Sequence, residues 1–219
     1  MNDERLTIAW QTASLLLDYP DESLTERLPL IRRAVAELPR QLGGPLAATA
    51  EAIAAGNLSE LQQLYVETFD NRRRHNLYLT YFAHGDTRRR GVALLRFKQT
   101  YLRAGYVLDD TELPDHLCVV LEFAATVDQK LGRKLLLDHR AGLELLRLAL
   151  AEAGSPWTGA VQAVTATLPP LAGDERDAIA RLAADGPPQE EVGMTPYATP
   201  GFDAATQPLP MPTFPGARR

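Results

Sequence analysis

The chain has 219 residues, 45% of them hydrophobic and 23% charged, with a formal net charge of -5. That length and apolar content suit one sizeable core and exclude a fibrous or low-complexity protein. No apolar run approaches the ~20 residues needed to span a bilayer, and the Met-Asn-Asp-Glu-Arg start is acidic where a secretory leader needs positive charge. A cytoplasmic protein with no stable membrane association is expected.

Apolar positions recur at helical spacing almost throughout, and no run alternates with period two between turn residues. The expected fold is all-α: one helical-bundle domain over residues 1–186, followed by a Pro-rich, irregular tail over 187–219. Leu6, Trp10, Ala13 and Leu17 share one helix face. Leu24, Leu28, Ile31, Val35 and Leu38 continue the pattern, but Pro29 interrupts it and predicts a short piece restarting there. Leu38-Pro39-Arg40 and Gly43-Gly44-Pro45 read as a connection before an alanine-rich helix at 46–55.

A further amphipathic segment runs from Leu58 through Leu61 and Tyr65 to Phe69, capped by Asn57 or Ser59. Residues 70–86 show no clear period. From Asp86 to Ala104 the helical pattern is strong, and Gly105 stops it. The next helix is predicted to start at Leu113-Pro114-Asp115 and run to Leu131, with Gly132 as a break. A leucine-dense central helix is predicted over 135–153, then helices from Pro156 to Leu168 and from Asp174 to Asp185. The last 33 residues hold 8 of the 16 prolines, which sets them apart from the domain. Within them, Tyr197 to Phe202 and Leu209 to Phe214 are apolar enough to dock on a surface.

Charge is polarised along the chain. Nine basic residues between Asn71 and Ala104 face a single acid, Asp86, so this window is +8 and the remainder about -13. Arg89, Arg96 and Arg103 are seven apart and share a helix face. Such a window suits an acidic or phosphate-bearing partner, or pairing within the chain. A helical nucleic-acid-binding protein is the alternative reading, weakened by the acidic whole and the lack of a recognisable module.

Other chemistry has little support. Cys118 lies in the apolar run Leu117-Cys118-Val119-Val120-Leu121, where a thiol is ordinarily a small buried hydrophobe. His75, His84, His116 and His139 show no metal-binding spacing. The acids of Asp109-Asp110-Thr111-Glu112 and Asp115 flank a predicted helix start, where the dipole favours them, although an acid/base role in a small hydrolase or transferase is the rival reading. Tyr65, Phe69, Tyr78, Tyr81 and Phe82 beside arginines have the composition of a peptide-binding groove, or of a plain core.

Three segments carry a family resemblance. Tyr65-Val66-Glu67-Thr68-Phe69-Asp70, Leu77-Tyr78-Leu79-Thr80-Tyr81 and Gly85-Asp86-Thr87-Arg88-Arg89-Arg90-Gly91 are similar to the signature of the NarJ family of nitrate reductase assembly chaperones. Glu112-Leu113-Pro114-Asp115-His116 resembles the Glu-x-Pro-Asp-His motif of the wider redox-enzyme maturation chaperones, including those of the TorD and DmsD type; the family often has proline where Cys118 stands. The resemblance implies a non-enzymatic, all-helical chaperone that binds the apo catalytic (alpha) subunit of respiratory nitrate reductase, chiefly by its N-terminal segment. It further implies that the chain binds no cofactor stably and assists molybdenum cofactor insertion into its partner. The expected peptide site comprises Tyr65, Phe69, Tyr78, Tyr81, Phe82, Arg72, Arg88, Arg89 and Arg90, supported by the motif residues Asp86, Glu112, Pro114, Asp115 and His116.

Overall fold

A computed structural model describes residues 3–109 and 111–185, so the expectations for the tail at 187–219 lie outside the described residues. Helix α1 (Asp3–Leu17) buries Leu6, Trp10, Ala13 and Leu17 as the spacing predicts, and packs along α7 (Leu117–Thr126). Its Ser14 hydroxyl donates to the Cys118 carbonyl at 2.9 Å, tying the two helices where both are buried. Among the described residues the only contact of strand type is an isolated antiparallel bridge between Tyr78 and His116, and no strand forms.

Both prolines expected to break helices lie inside them. Helix α2 (Glu22–Ala36) is capped by the Asp21 carboxylate on the Leu24 N–H at 2.8 Å and runs unbroken through Pro29. Pro29 is exposed while Leu24, Leu28, Ile31 and Val35 are buried, so the carbonyl that loses its donor faces solvent and the buried stripe holds the helix together. Helix α3 (Arg40–Ala55) likewise includes Gly43, Gly44 and Pro45 rather than starting after them.

The small residues there serve packing. α3 lies closely along α10 (Thr158–Ala166), and a Cβ on Gly159 would sit 2.1 Å from the Pro45 carbonyl oxygen. The Thr49 hydroxyl accepts from the Ala160 N–H at 3.1 Å in the same contact.

Helix α4 (Leu58–Tyr65), capped by Asn57, continues into a single π turn at Val66–Asp70. A 3-10 turn at Arg73–His75 and the short α5 (Leu79–His84) fill the stretch that showed no clear period. α6 (Arg88–Arg103) follows, and Gly105 at φ 74 ends it in the left-handed region.

Two further boundaries differ from the periodic pattern. α7 starts at Leu117, not Leu113, and α8 (Gln129–Asp138) restarts after an Asp128 cap on the Leu131 N–H. Gly132 is therefore inside α8, where a Cβ would meet the Ala124 Cβ at 2.3 Å; its role is close helix approach, not a break. The expected long central helix is two, α8 and α9 (Arg140–Glu152), separated at His139 (φ -114, ψ 20). Continuous apolar spacing across that corner concealed it. α11 (Gly173–Asp185) packs on α9.

Candidate functional site

Two loops far apart in sequence are stitched together by backbone hydrogen bonds. The Leu79 N–H donates to the Asp115 carbonyl at 3.0 Å, and the Leu117 N–H to the Leu77 carbonyl at 2.9 Å. This pairing brings the Leu-Tyr-Leu-Thr and Glu-Leu-Pro-Asp-His segments into one cluster between the starts of α5 and α7. From α6, the Tyr101 hydroxyl closes the arrangement by donating to the Pro114 carbonyl at 2.6 Å.

Asp115 is at the bottom of the cluster, with no exposed side-chain surface. Its Oδ2 accepts the Thr80 N–H at 3.1 Å and the Thr80 hydroxyl, while Oδ1 has no partner. Arg90 reaches over it from α6: Nε donates to the Thr80 hydroxyl at 3.3 Å, Nη1 lies 3.4 Å from Asp86, and Nη2 is 3.9 Å from Asp115. Arg90 turns inward because it is three residues before Ala93, on the face that also buries Phe97 and Tyr101. That inward turn sets it beside acids that offset a third arginine at the positive end of a helix.

Tyr78 covers the outer side. Its hydroxyl donates to Glu112 at 3.1 Å, its ring lies edge-on to His116 at 5.1 Å, and the Arg90 guanidinium is 5.3 Å from its centroid. Burial and the Glu112 carboxylate push the Tyr78 hydroxyl up to about 12. Burial lowers the basicity of His116 against the opposing pull of Glu112 and Asp18. The acids at 109–115 thus do not occupy the first turn of a helix. Glu112 holds the Tyr78 hydroxyl, Asp115 holds Thr80 in the first turn of α5, Asp109 bonds Thr111, and Asp110 lies outside the described residues.

The aromatic set expected to line a groove divides. Tyr65 and Phe69 are buried and interlock with Trp157 at centroid distances of 5.4 and 5.3 Å, and the Tyr65 hydroxyl donates to the Leu17 carbonyl. Tyr81 and Phe82 are also buried, and Gly142 of α9 leaves room for the Phe82 ring. These four rings are core. Tyr78 alone of the set is half-buried, at the surface of the motif cluster.

The basic window is divided as well. Arg72, with Arg73 and Arg74, lies beside Ala149 and Glu152 of α9 and Ala153 just after it, whereas Arg96 and Arg103 border a different cleft facing α8. Arg88 and Arg89 are exposed at the start of α6. Thr80 and Tyr101 were not singled out by sequence reasoning. Tyr101 shares the inward face of Phe97, which was a readable signal; the pairing of Thr80 with Asp115 had none.

A solved redox enzyme maturation protein from Archaeoglobus fulgidus superposes with a TM-score of 0.53 over 74% of this chain and 92% of that one, at 23% identity, and so shares its fold. The chain matches the nitrate reductase delta subunit family over residues 35–163. It is 32% identical to the Bacillus subtilis molybdenum cofactor assembly chaperone NarJ, across 77% of this chain and 92% of that protein. Escherichia coli NarJ is also 32% identical, over 64% of this chain and 60% of its own length. The nitrate reductase-like protein NarX of Mycobacterium tuberculosis is 40% identical over 73% of this chain, which spans only 24% of that longer protein. The chain belongs to the nitrate reductase delta subunit family, to which the NarJ resemblance pointed.

Proposed function

We propose that the chain is an assembly chaperone for nitrate reductase. It binds the apo catalytic (alpha) subunit, chiefly through that subunit's N-terminal segment, and keeps it competent for molybdenum cofactor insertion before membrane attachment. The observation that carries this reading is the match to Bacillus subtilis NarJ over nearly the whole of that protein. The cofactor belongs to the partner, and the chain's own work is binding in the cytoplasm.

The motif cluster supports a docking surface centred on Tyr78. A buried polar frame of Asp115, Thr80 and Arg90 fixes the ring from beneath, so little conformational freedom is lost when a peptide covers it. Leu113 and Tyr19 are exposed, and Tyr19 stands edge-on to Tyr65 at 5.4 Å. Asp18 and Glu112 both act on His116, which places their charges around the same region. An amphipathic helix from the partner would lay its apolar face over Tyr78 and Leu113, with cationic side chains toward Glu112 and Asp18. Arg88, Arg89 and Arg72 would steer orientation and on-rate. Tyr65, Phe69, Tyr81 and Phe82 would act from the core, by holding the helices that present this surface.

Calorimetric titration with a synthetic peptide from the N-terminus of the cognate catalytic subunit, beside a scrambled peptide, tests the reading. Selective saturable binding, weakened about tenfold or more by Tyr78→Ala as for an interface anchor, is expected. Unchanged affinity in a folded Tyr78→Ala protein would move the site elsewhere. A folded wild-type protein that binds neither peptide would overturn recognition through the N-terminal segment.

A further inference from the structure

Helix α6 packs on α5 but stands off α8, and the two helices flank a cleft of about 570 Å³. Phe97, Leu131 and Leu135 form its apolar floor, and Arg96, Arg103 and Lys134 line it with positive charge. Lys134 is bound to Asp138 at 2.5 Å, and on other surfaces Arg32 is bound to Glu51 and Arg147 to Glu144. Arg96 and Arg103 have no acidic partner among the described residues. Two guanidiniums one heptad apart beside an apolar floor suit an anionic, ring-bearing segment better than bulk water.

We infer that this cleft receives the chain's own residues 190–203. That segment carries Glu190, Glu191 and Asp203 with no basic residue, and Tyr197 and Phe202 lie between the acids. It therefore matches the cleft in charge and in apolar content. Reach permits the contact: α11, whose last residue is Asp185, packs on α9, and α9 follows directly from α8 at the His139 corner. Twelve extended residues span about 37 Å at ~3.1 Å each, against a radius of gyration of about 16 Å for a domain of this size. Pro196 and Pro200 restrict the backbone around Tyr197, which reduces the entropy lost on docking.

The inference is independent of nitrate reductase and is tested without it. Nitroxides are placed on the full chain at Gln99→Cys and Ala198→Cys, with buried Cys118 left unlabelled, and the distance between them is measured by pulsed electron paramagnetic resonance. A narrow, short distance is expected, lost on reversing both Arg96 and Arg103 to Glu and restored when Glu190, Glu191 and Asp203 are changed to Lys in that variant. A broad distribution indifferent to these charges would overturn the inference. So would a short distance that disappears on mixing with excess unlabelled chain, because the segment would then come from a second copy.

Discussion

Asp115 and Thr80 are joined twice: the Asp115 carboxyl accepts both the backbone N–H, at 3.1 Å, and the side-chain hydroxyl of Thr80. One buried carboxyl thereby fixes the start of α5 against the loop before α7, and Arg90 is held above the pair. Asp115→Ala leaves two Thr80 donors buried, each costing about 1–3 kcal/mol when unsatisfied. Asp115→Asn keeps an acceptor and is expected to cost less. Urea unfolding of both variants gives the order, and an Asp115→Ala protein as stable as wild type would show that water replaces the carboxyl.

Glycines of opposite kind give an internal comparison. A Cβ at Gly132 would lie 2.3 Å from the Ala124 Cβ and 2.5 Å from its Cα, so α7 and α8 must separate to admit it. Gly132→Ala is expected to destabilise by about 1–3 kcal/mol or more through overpacking. Gly91, in the exposed face of α6, has nothing within 4 Å of a built Cβ. Gly91→Ala is expected to stabilise by roughly 0.4–1 kcal/mol. Thermal and urea unfolding should move in opposite directions for the two.

Burial also makes stability depend on pH. His116 and His139 both have their basicity lowered, first by desolvation. In the unfolded chain each takes up a proton near its ordinary 6.5, while the folded form resists until lower pH. The unfolded state therefore binds more protons below that point. Stability is full above about pH 6.5 and falls as pH drops toward the folded values, by up to ~1.4 kcal/mol per pH unit for each histidine. Urea midpoints between pH 7.5 and 5.5 measure the slope, and replacing His139 with Gln should flatten it.

Core and surface aromatics should separate in two assays. Phe69→Ala removes a ring packed on Tyr65 and Trp157 and is expected to cost about 3–5 kcal/mol of stability. Tyr78→Phe deletes only the hydroxyl bond to the Glu112 carboxylate, worth about 1.5–3 kcal/mol. The first change should appear in unfolding curves. Truncation of Tyr78 to Ala should appear mainly in peptide affinity. A Phe69→Ala protein with wild-type stability would contradict the core placement.

Much of the architecture followed from the residues in order. The helical period located α1, α6, α10 and α11 because burying one stripe of a helix requires apolar residues every three or four positions. Family motifs, each a continuous segment, marked the neighbourhood of the site. Local signals misled where a tertiary contact outweighed them: Pro29 and Pro45 sit within helices, and Gly132 serves a helix crossing. Proline and glycine propensities are worth only a few kcal/mol, and a buried stripe or close contact can exceed that.

Periodicity shows which residues are buried but not against which partner. For this reason Tyr65 and Phe69 looked as suitable for a groove as Tyr78 did. The amino-acid sequence by itself determined the all-α class, the family and the polarised charge, because each is a property of residue type and spacing along the chain. Only the tertiary structure decided that Asp115 holds Thr80, that Arg90 points inward while Arg96 and Arg103 meet no acid among the described residues, and that four of the five aromatic candidates are core. Those facts depend on which distant segments meet, and that is set by the packing of all the helices together.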